Sequence, residues 1–449
     1  MTEVLTVILA AGEGTRMKSS RNKVLHKLGG KPLIGHVVRL AAGISEKVVC
    51  VVGHQAREVK KTASRYGELE FVRQDRQLGT GHAVQQAERY IAEHQGPILI
   101  LYGDIPLINT STLTGLVTEH QNRQAGMTIL TAEMDDPAGY GRIVRDSSGG
   151  IKAVVEEHDI DPETAAIREV NSGIYCFNSQ LLREALKQLD NDNQQGEYYL
   201  PDTMHYISKR APLIPLKAED PREILGINDR ADLAEAEGIL QKRIRQKHLA
   251  SGVTLLDPDC TYIEPGVEIE QDVIIYPGSY FKGSTRIGSG SIIGPGCQLD
   301  NAKIASEVRV RQGSIIIGSQ VDSGSTVGPY AYLRPGTEIA ESCRIGNFVE
   351  LKKSRVGRGS KVPHLSYVGD ATIGSSCNVG AGTIFANYDG ENKHQTVLED
   401  EVFVGSNTTL VAPVKLGRGS STGAGSVVTK DVEDNSLVLG VPARFYKKK

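Results

Sequence analysis

Arg286-Ile287-Gly288-Ser289-Gly290-Ser291-Ile292-Ile293-Gly294 decides the fold of half of this chain. An aliphatic residue followed by glycine occurs twice in it, six residues apart. The couplet returns at Ile317-Gly318, Val327-Gly328, Ile345-Gly346, Val356-Gly357, Ile373-Gly374, Val379-Gly380, Val404-Gly405 and Leu416-Gly417. Self-similarity at a fixed period is the mark of a solenoid. Three short strands per coil put the aliphatic residues inside and leave the small residues for the corners, which predicts a parallel β-helix over residues 251–449. A sandwich with glycine turns would not require a six-residue rhythm.

Upstream of this repeat, Asp229 to Leu249 reads as a linking helix. Leu233, Ala236, Leu240 and Ile244 recur three or four residues apart, Asp229 suits the N-cap and Gly252 follows the end. Residues 1–228 follow a third pattern. Apolar runs at Val4 to Ala10, Val48 to Val52 and Ile98 to Tyr102 alternate with helical stretches such as Gly81 to Glu93, where Ala83, Ala87 and Ile91 share a face. Alternation of this kind predicts an α/β Rossmann-like layer with a mostly parallel sheet. Ligands of such sheets sit at the carboxyl ends of the strands. The expected division is therefore 1–228, a linker helix at 229–250, and 251–449.

Composition removes several function classes. The 51 Lys plus Arg nearly balance 54 Asp plus Glu, so no basic field is available for nucleic acid. Aromatic residues make up only 5% of the chain, too few for single-strand stacking platforms. No run of about 18 apolar residues occurs, so no membrane insertion is expected. The N-terminus lacks the form of a signal peptide, which points to the cytoplasm. None of the six cysteines forms a C-x-x-C pair, and free thiols are expected.

Chemistry-bearing motifs fill the front half. Leu9-Ala10-Ala11-Gly12-Glu13-Gly14-Thr15-Arg16-Met17 follows a strand, and Lys23 lies just beyond it. Small residues there let backbone N–H groups approach a phosphate. Arg16 and Lys23 can neutralise the charge that shifts as an α–β phosphate bond breaks. The string matches neither a Walker A loop nor a dinucleotide fingerprint. It resembles the sugar nucleotidyltransferases. Gln74-Asp75-Arg76-Gln77-Leu78-Gly79-Thr80-Gly81-His82 brings amides able to read both a donor and an acceptor on a pyrimidine edge. Within that family it resembles the N-acetylglucosamine-1-phosphate uridylyltransferases. Tyr102-Gly103-Asp104 ends a strand with a carboxylate suited to Mg2+. The resemblance implies that Asn228 is the second metal ligand. It also implies that Gly141, Glu156, Asn171 and Tyr199 line a sugar pocket, and that a sugar phosphate attacks the α-phosphorus of UTP.

Only His364 and His394 follow residue 250, too few for a three-histidine zinc site within one β-helix. His364 lies in Lys361-Val362-Pro363-His364-Leu365-Ser366-Tyr367-Val368-Gly369-Asp370, and an imidazole suits general-base work. This string, with Arg334-Pro335-Gly336, Asn347-Phe348-Val349-Glu350-Leu351-Lys352-Lys353 and Asn387-Tyr388-Asp389-Gly390, resembles the bifunctional uridylyltransferase/glucosamine-1-phosphate acetyltransferases. The resemblance runs from about Val4 to Asp431. It implies a left-handed β-helix, acetyl-CoA as co-substrate, small-molecule substrates only, and a homotrimer. The product would feed bacterial cell-wall and lipopolysaccharide synthesis. Residue by residue, it makes His364 the general base, and Glu350 is expected to orient it. Arg334 and Lys352 would bind the sugar phosphate. Tyr367, Asn378, Asn387 and Tyr388 would position the sugar, while Ala381, Ser406 and Ala424 would line the acetyl-CoA groove. The polar segment from Thr383 to Thr396 is expected to project as a loop. An alternative is a uridylyltransferase whose β-helix serves only assembly or regulation.

The chain departs from the family pattern at a few positions. Asn22 stands where the family usually has proline, which bears on how Lys23 is placed. Pro201 replaces a threonine. No arginine stands just before Val441-Pro442, and Arg444 with Lys447 to Lys449 could substitute for it toward coenzyme A. Phe385 is expected to narrow the sugar pocket, and Thr422 to put a hydroxyl inside a coil.

Overall fold

The computed structural model describes residues 3–147 and 149–448, so Lys449 lies outside the described residues. Two compact units make up the chain, one running to Leu240 and the other from Gln241. This boundary falls inside the long helix Arg230–Ala250 rather than at either of its ends. Asp229 caps that helix: its Oδ1 accepts from the backbone N–H groups of Ala231 at 2.8 Å and Asp232 at 3.1 Å.

The first unit is built on one twisted sheet. Its strands are β1 (Leu5–Ala10), β2 (Lys47–Val52), β3 (Glu70–Arg73), β4 (Pro97–Tyr102), β5 (Met127–Glu133), β6 (Arg142–Arg145), β7 (Ile151–Val155), β8 (Glu169–Asn178) and β9 (Leu213–Lys217). Their order is β9-β5-β8-β4-β1-β2-β3, with the β6/β7 hairpin branching from β8. The pairs β1/β2, β1/β4, β2/β3 and β5/β9 are parallel, as the alternation predicted. Strand β8 departs from this by running antiparallel to both neighbours. Every residue of β1 is buried because helices cover both faces of the sheet, and such a strand reads as a continuous apolar run rather than an alternation. In register, Leu9 of β1 lies beside Tyr102 of β4, so two of the quoted motifs leave the sheet side by side at the carboxyl ends of parallel strands. The expected helix at Gly81 to Glu93 is broken into Thr80–Gln85 and Glu88–Glu93. Ala83, Ala87 and Ile91 are buried as anticipated.

The second unit is a left-handed parallel β-helix of the hexapeptide type, made of three sheets with strands two to six residues long. Each coil stacks directly on the one before. Ile275, Ile293, Val310, Val327, Ile345 and Val362 form one continuous ladder through the interior. Each is almost fully buried, and burial of one such side chain contributes roughly 1.5–3 kcal/mol. All but one of the predicted couplets put their aliphatic residue inside. The exception is Ile317, where Ile316 is the buried residue and Ile317 faces outward. An apolar triplet leaves the inside position ambiguous by one residue, and a one-residue slip reverses the face. A hairpin of Ser436–Gly440 with Ala443–Lys448 ends the stack in antiparallel fashion.

Phe385 does not narrow a pocket. It is completely buried, in register beside Leu410, and fills an inward position of the coil. The projecting loop is correspondingly shorter than expected, residues 387–395, because Ile384–Ala386 and Thr396–Leu398 are strands of the coil. Thr422 does put its hydroxyl inside. Its Oγ1 accepts the Gly405 N–H at 2.9 Å and lies 3.0 Å from the Thr408 hydroxyl, so the buried oxygen is satisfied. All six cysteines are free, and five are buried. Among the described residues, no helix is long and apolar enough to cross a membrane.

Candidate active sites

A cavity of about 270 Å3 opens where β1 and β4 end. Leu9, Ala10, Ala11 and Gly12 line it, together with Gln74, Gly79 and Thr80 and with Lys23, Tyr102 and Asp104. The expected nucleotide-site residues thus converge. Gly79 is required there: its φ is +100°, and a Cβ would sit 2.6 Å from the carbonyl oxygen of Tyr198. Gln74 is buried, and its amide nitrogen donates to Gly79 O at 3.2 Å and approaches His82 Nδ1 at 3.0 Å. It braces the turn. Gln77 and Glu197 also line the cavity, although only their motifs and not the residues themselves were singled out from the sequence.

The charged end of this cavity is compact. The Lys23 ammonium pairs with Asp104 and donates to Asn228 Oδ1 at 3.2 Å. Arg16 donates to the same amide oxygen at 3.1 Å. Ile227 N–H donates to the Asp104 carbonyl at 3.0 Å, which ties the segment carrying Asn228 to the end of β4. One carboxylate and one amide oxygen, held together, form a hard-donor pair that suits Mg2+ completed by phosphate oxygens. Among the described residues no group of three or more His, Cys, Asp or Glu side chains could hold an ion by itself.

Asn22 does by hydrogen bonding what a ring would do by constraint. It is fully buried. Its backbone N–H donates to Gln55 at 2.8 Å, its amide donates to His54 O at 2.8 Å, and its Oδ1 caps the turn beginning at Lys23 by accepting from Val24 N–H at 3.0 Å. Its φ of −55° is also one that proline could adopt. Pro201 sits buried in the first turn of Leu200–Asp202, where a missing N–H costs nothing.

The residues expected around a sugar are less uniform. Glu156 and Tyr199 face a neighbouring cavity of about 490 Å3, together with Asp159 and Asp202. Burial pushes the Glu156 carboxyl up to about 7, and the carboxylates of Asp202, Asp159 and Glu197 add to the rise. Gly141 lies against Glu156, with its Cβ position 3.3 Å from Oε2. Asn171 is buried on β8 just before a bulge. Its Nδ2 donates to the Tyr175 hydroxyl at 2.6 Å, and its Oδ1 accepts from Gly173 N–H at 3.1 Å.

In the β-helix the second set gathers at one corner. Asn347 pairs in register with His364. One coil further on, Gly382 N–H donates to the His364 carbonyl, then Asn407 N–H to Ala381 O at 2.7 Å and Gly425 N–H to Ser406 O at 2.8 Å. Ala381, Ser406 and Ala424 therefore climb the edge above His364. Around the corner, Arg334 pairs with Glu350 at 2.9 Å, and Lys352 pairs with Asp370 at 3.5 Å. Asn387 also donates to Asp370, at 2.5 Å. Gly369 lets Tyr367 and Asn387 come together, since a Cβ there would lie 2.5 Å from the Tyr367 hydroxyl and 2.7 Å from the Asn387 amide. Tyr388 is exposed on the projecting loop, and Asn378 lies in the strand that pairs with Lys361 and Phe403. Lys393, which the sequence reading did not single out, interacts with Lys352 and is held below the usual lysine range by that neighbouring ammonium. Arg444 lies exposed on the terminal hairpin, beside a cavity of about 570 Å3 shared with Lys430 and Lys448.

Among the described residues, the hydrogen bond of Glu350 is with Arg334 and not with His364. Coil register places Glu350 beside Tyr332 and Tyr367 on the next sheet, where it is engaged by Arg334. The ring of His364 instead meets Asn347, with Nδ1 2.6 Å from Oδ1.

Comparison with known proteins agrees with this division. A family model described as nucleotidyl transferase matches residues 5–214. Models described as bacterial transferase hexapeptide (six repeats) and hexapeptide repeat of succinyl-transferase match residues 266–301 and 395–430. The bifunctional protein GlmU of Brevibacillus brevis is 46% identical over 442 residues, covering 98% of this chain and 95% of that protein. The chain belongs to the GlmU family. The GlmU proteins of Syntrophomonas wolfei, 48% identical with 96% of each chain covered, and Acetivibrio thermocellus, 46% identical with 97% and 94% covered, show the same full-length match. Like the GlmU proteins, this chain is an enzyme of two activities, a nucleotidyltransferase in the α/β unit and an acetyltransferase in the β-helix.

Proposed function

We propose that the β-helix transfers acetyl from acetyl-CoA to glucosamine 1-phosphate, and that the α/β unit then transfers uridylyl from UTP to N-acetylglucosamine 1-phosphate. The observation that supports this pairing is the convergence of motifs far apart in sequence on two separate corners, one rich in phosphate-binding groups and one built around an imidazole. At the front, Arg16 and Lys23 hold the phosphates and offset charge on the departing pyrophosphate. Asp104 and Asn228 would hold Mg2+, which supplies Lewis-acid neutralisation of the phosphate oxygens. Leu9 to Gly12 present backbone to the nucleotide, with Gln74, Gly79 and Thr80 closing the other side. Tyr102, Gly103, Gly141, Glu156, Asn171 and Tyr199 form the sugar side.

At the back, His364 takes the proton of the attacking amine. Arg334 and Lys352, joined by Lys393, bind the sugar phosphate. Tyr367, Asn378, Asn387 and Tyr388 orient the sugar. Ala381, Ser406 and Ala424 line the groove for acetyl-CoA, with Arg444 toward its phosphates. The active assembly is a homotrimer formed through the β-helix. A stacked Tyr330–Phe348 pair with centroids 5.7 Å apart, continued by Leu365, leaves large apolar groups about half exposed on the edge of the coils beside His364.

The test is a split assay. Glucosamine 1-phosphate and acetyl-CoA are supplied without UTP, and free coenzyme A is followed for the parent and His364→Ala. Release in the parent and its loss in the variant support the reading. A parent that releases nothing, yet converts UTP and N-acetylglucosamine 1-phosphate, would make the β-helix a scaffold.

A further inference from the structure

His364 closes the strand Lys361–His364, and its side chain is exposed. An exposed neutral imidazole can carry its proton on either nitrogen, and only the deprotonated nitrogen is a base. The backbone around it is pinned. Ser366 Oγ donates to the His364 carbonyl at 2.8 Å, and Gly382 N–H donates to it at 3.3 Å. The remaining freedom is that of the ring. Among the described residues, its one hydrogen-bond partner is Asn347, through Nδ1 and Oδ1 at 2.6 Å.

This contact follows from the repeat. Asn347 and His364 hold the same place in consecutive coils, and Leu365 N–H donates to the Asn347 carbonyl at 3.0 Å. The residue after each turns the corner in the left-handed region, Phe348 at φ 55° and Leu365 at φ 45°. Both strands therefore end at the same point, with the amide of one under the ring of the other. The carboxylate expected in this role from the sequence, Glu350, is engaged by Arg334.

We infer that Asn347 is the positioning residue of the acyl-transfer site: its amide oxygen accepts the Nδ1–H of His364 and so presents the Nε2 lone pair to the substrate. The inference rests on the acetyl-transfer reading above. In the step it serves, the amine nitrogen forms a bond to the thioester carbonyl carbon and the carbon–sulfur bond breaks. Nε2 takes the amine proton and returns it to the departing thiolate, giving amide and free thiol. A partner at Nδ1 that only accepts keeps Nε2 from starting the step already protonated. Because the partner is an amide, it orients the ring without adding a negative charge that would favour the imidazolium.

The experiment uses the full chain labelled with 15N-histidine, with the His364 signals assigned by their absence in His364→Gln. In the parent, the ring nitrogen shifts should report the proton on Nδ1. Asn347→Ala should release the ring to a mixture of tautomers and lower kcat for acetyl transfer about 10–100-fold, with KM little changed. Asn347→Asp, nearly isosteric and still an acceptor, should restore the parent tautomer while moving the acid limb of the pH–rate profile to higher pH. An Asn347→Ala protein with the parent's tautomer and kcat would overturn the inference. So would an Asn347→Asp protein whose profile is unmoved. The nitrogen shifts are read without substrates, so they judge Asn347 separately from the split assay that judges the acetyl-transfer reading.

Discussion

The two units assemble their sites by opposite means. In the α/β unit, partners come from far apart: Lys23 and Asn228 are 205 residues apart and share one hydrogen bond. In the β-helix, partners are one coil apart: 17 residues for Asn347 and His364, 16 for Arg334 and Glu350, 18 for Lys352 and Asp370. A solenoid turns sequence period into spatial contact, so a residue's place in the repeat names its neighbours. A doubly covered sheet has no such rule, and its site exists only once the strand order is set.

The comparison breaks most visibly if the two sites do not act separately. Lys23→Ala should lower uridylyl transfer about 10²–10³-fold through loss of charge stabilisation, with coenzyme A release from the β-helix unchanged. His364→Ala should do the reverse. A variant that depresses both activities equally, measured on the same preparation, would show that the units are coupled.

Core substitutions sharpen the contrast next. Phe385→Ala should cost the β-helix about 3–5 kcal/mol in denaturant unfolding, as expected for a large side chain removed from a sealed interior. Phe385→Leu should leave the KM for the sugar phosphate as it was. A lowered KM would restore the idea that Phe385 crowds the pocket. Thr422→Val should cost about 1–3 kcal/mol, because the Gly405 N–H would lose its acceptor inside a coil. An unfolding midpoint equal to the parent's would show that the coil relaxes around the loss.

The smallest effect belongs to the front half and depends on pH. The Glu156 carboxyl is raised by burial from 4.5 to about 7 in the folded chain. Below about pH 4.5 both folded and unfolded forms are neutral, and the group does not make stability pH-dependent. Between there and 7 the unfolded chain gives up the proton while the folded chain keeps it, so stability falls as pH rises and levels off above 7. Glu156→Gln removes this dependence. Its Tm should gain on the parent's by a few °C between pH 5 and pH 8. A difference that stays flat across that range would mean that Glu156 is not held neutral.

Much of both sites was legible because the motifs carry their own chemistry. Leu9 to Gly12, Gly79 and Asp104 line one cavity, Asn228, to which the family resemblance pointed, joins Asp104 through Lys23, and the couplets at Ile287 and Val404 point inward as read. Two of the misreadings share one cause. Ile317 lies one residue from the inward position, and Phe385 lies on a coil strand just before the loop it was read into. In a β-strand a shift of one residue reverses the face, and at a corner it changes the sheet. Asn347 was visible in its motif but silent, because an amide declares no role until something stands opposite it.

The repeat, the strand-ending glycine turn and the placement of charge were determined by the sequence alone, since period and residue type are local properties. What the tertiary structure decided is which partner each polar group takes: Asn22 with His54 and Gln55, Glu350 with Arg334, Asn347 with His364. Those choices turn on register and strand order, where an ångström separates a hydrogen bond from no contact, and no local pattern in the chain encodes that distance.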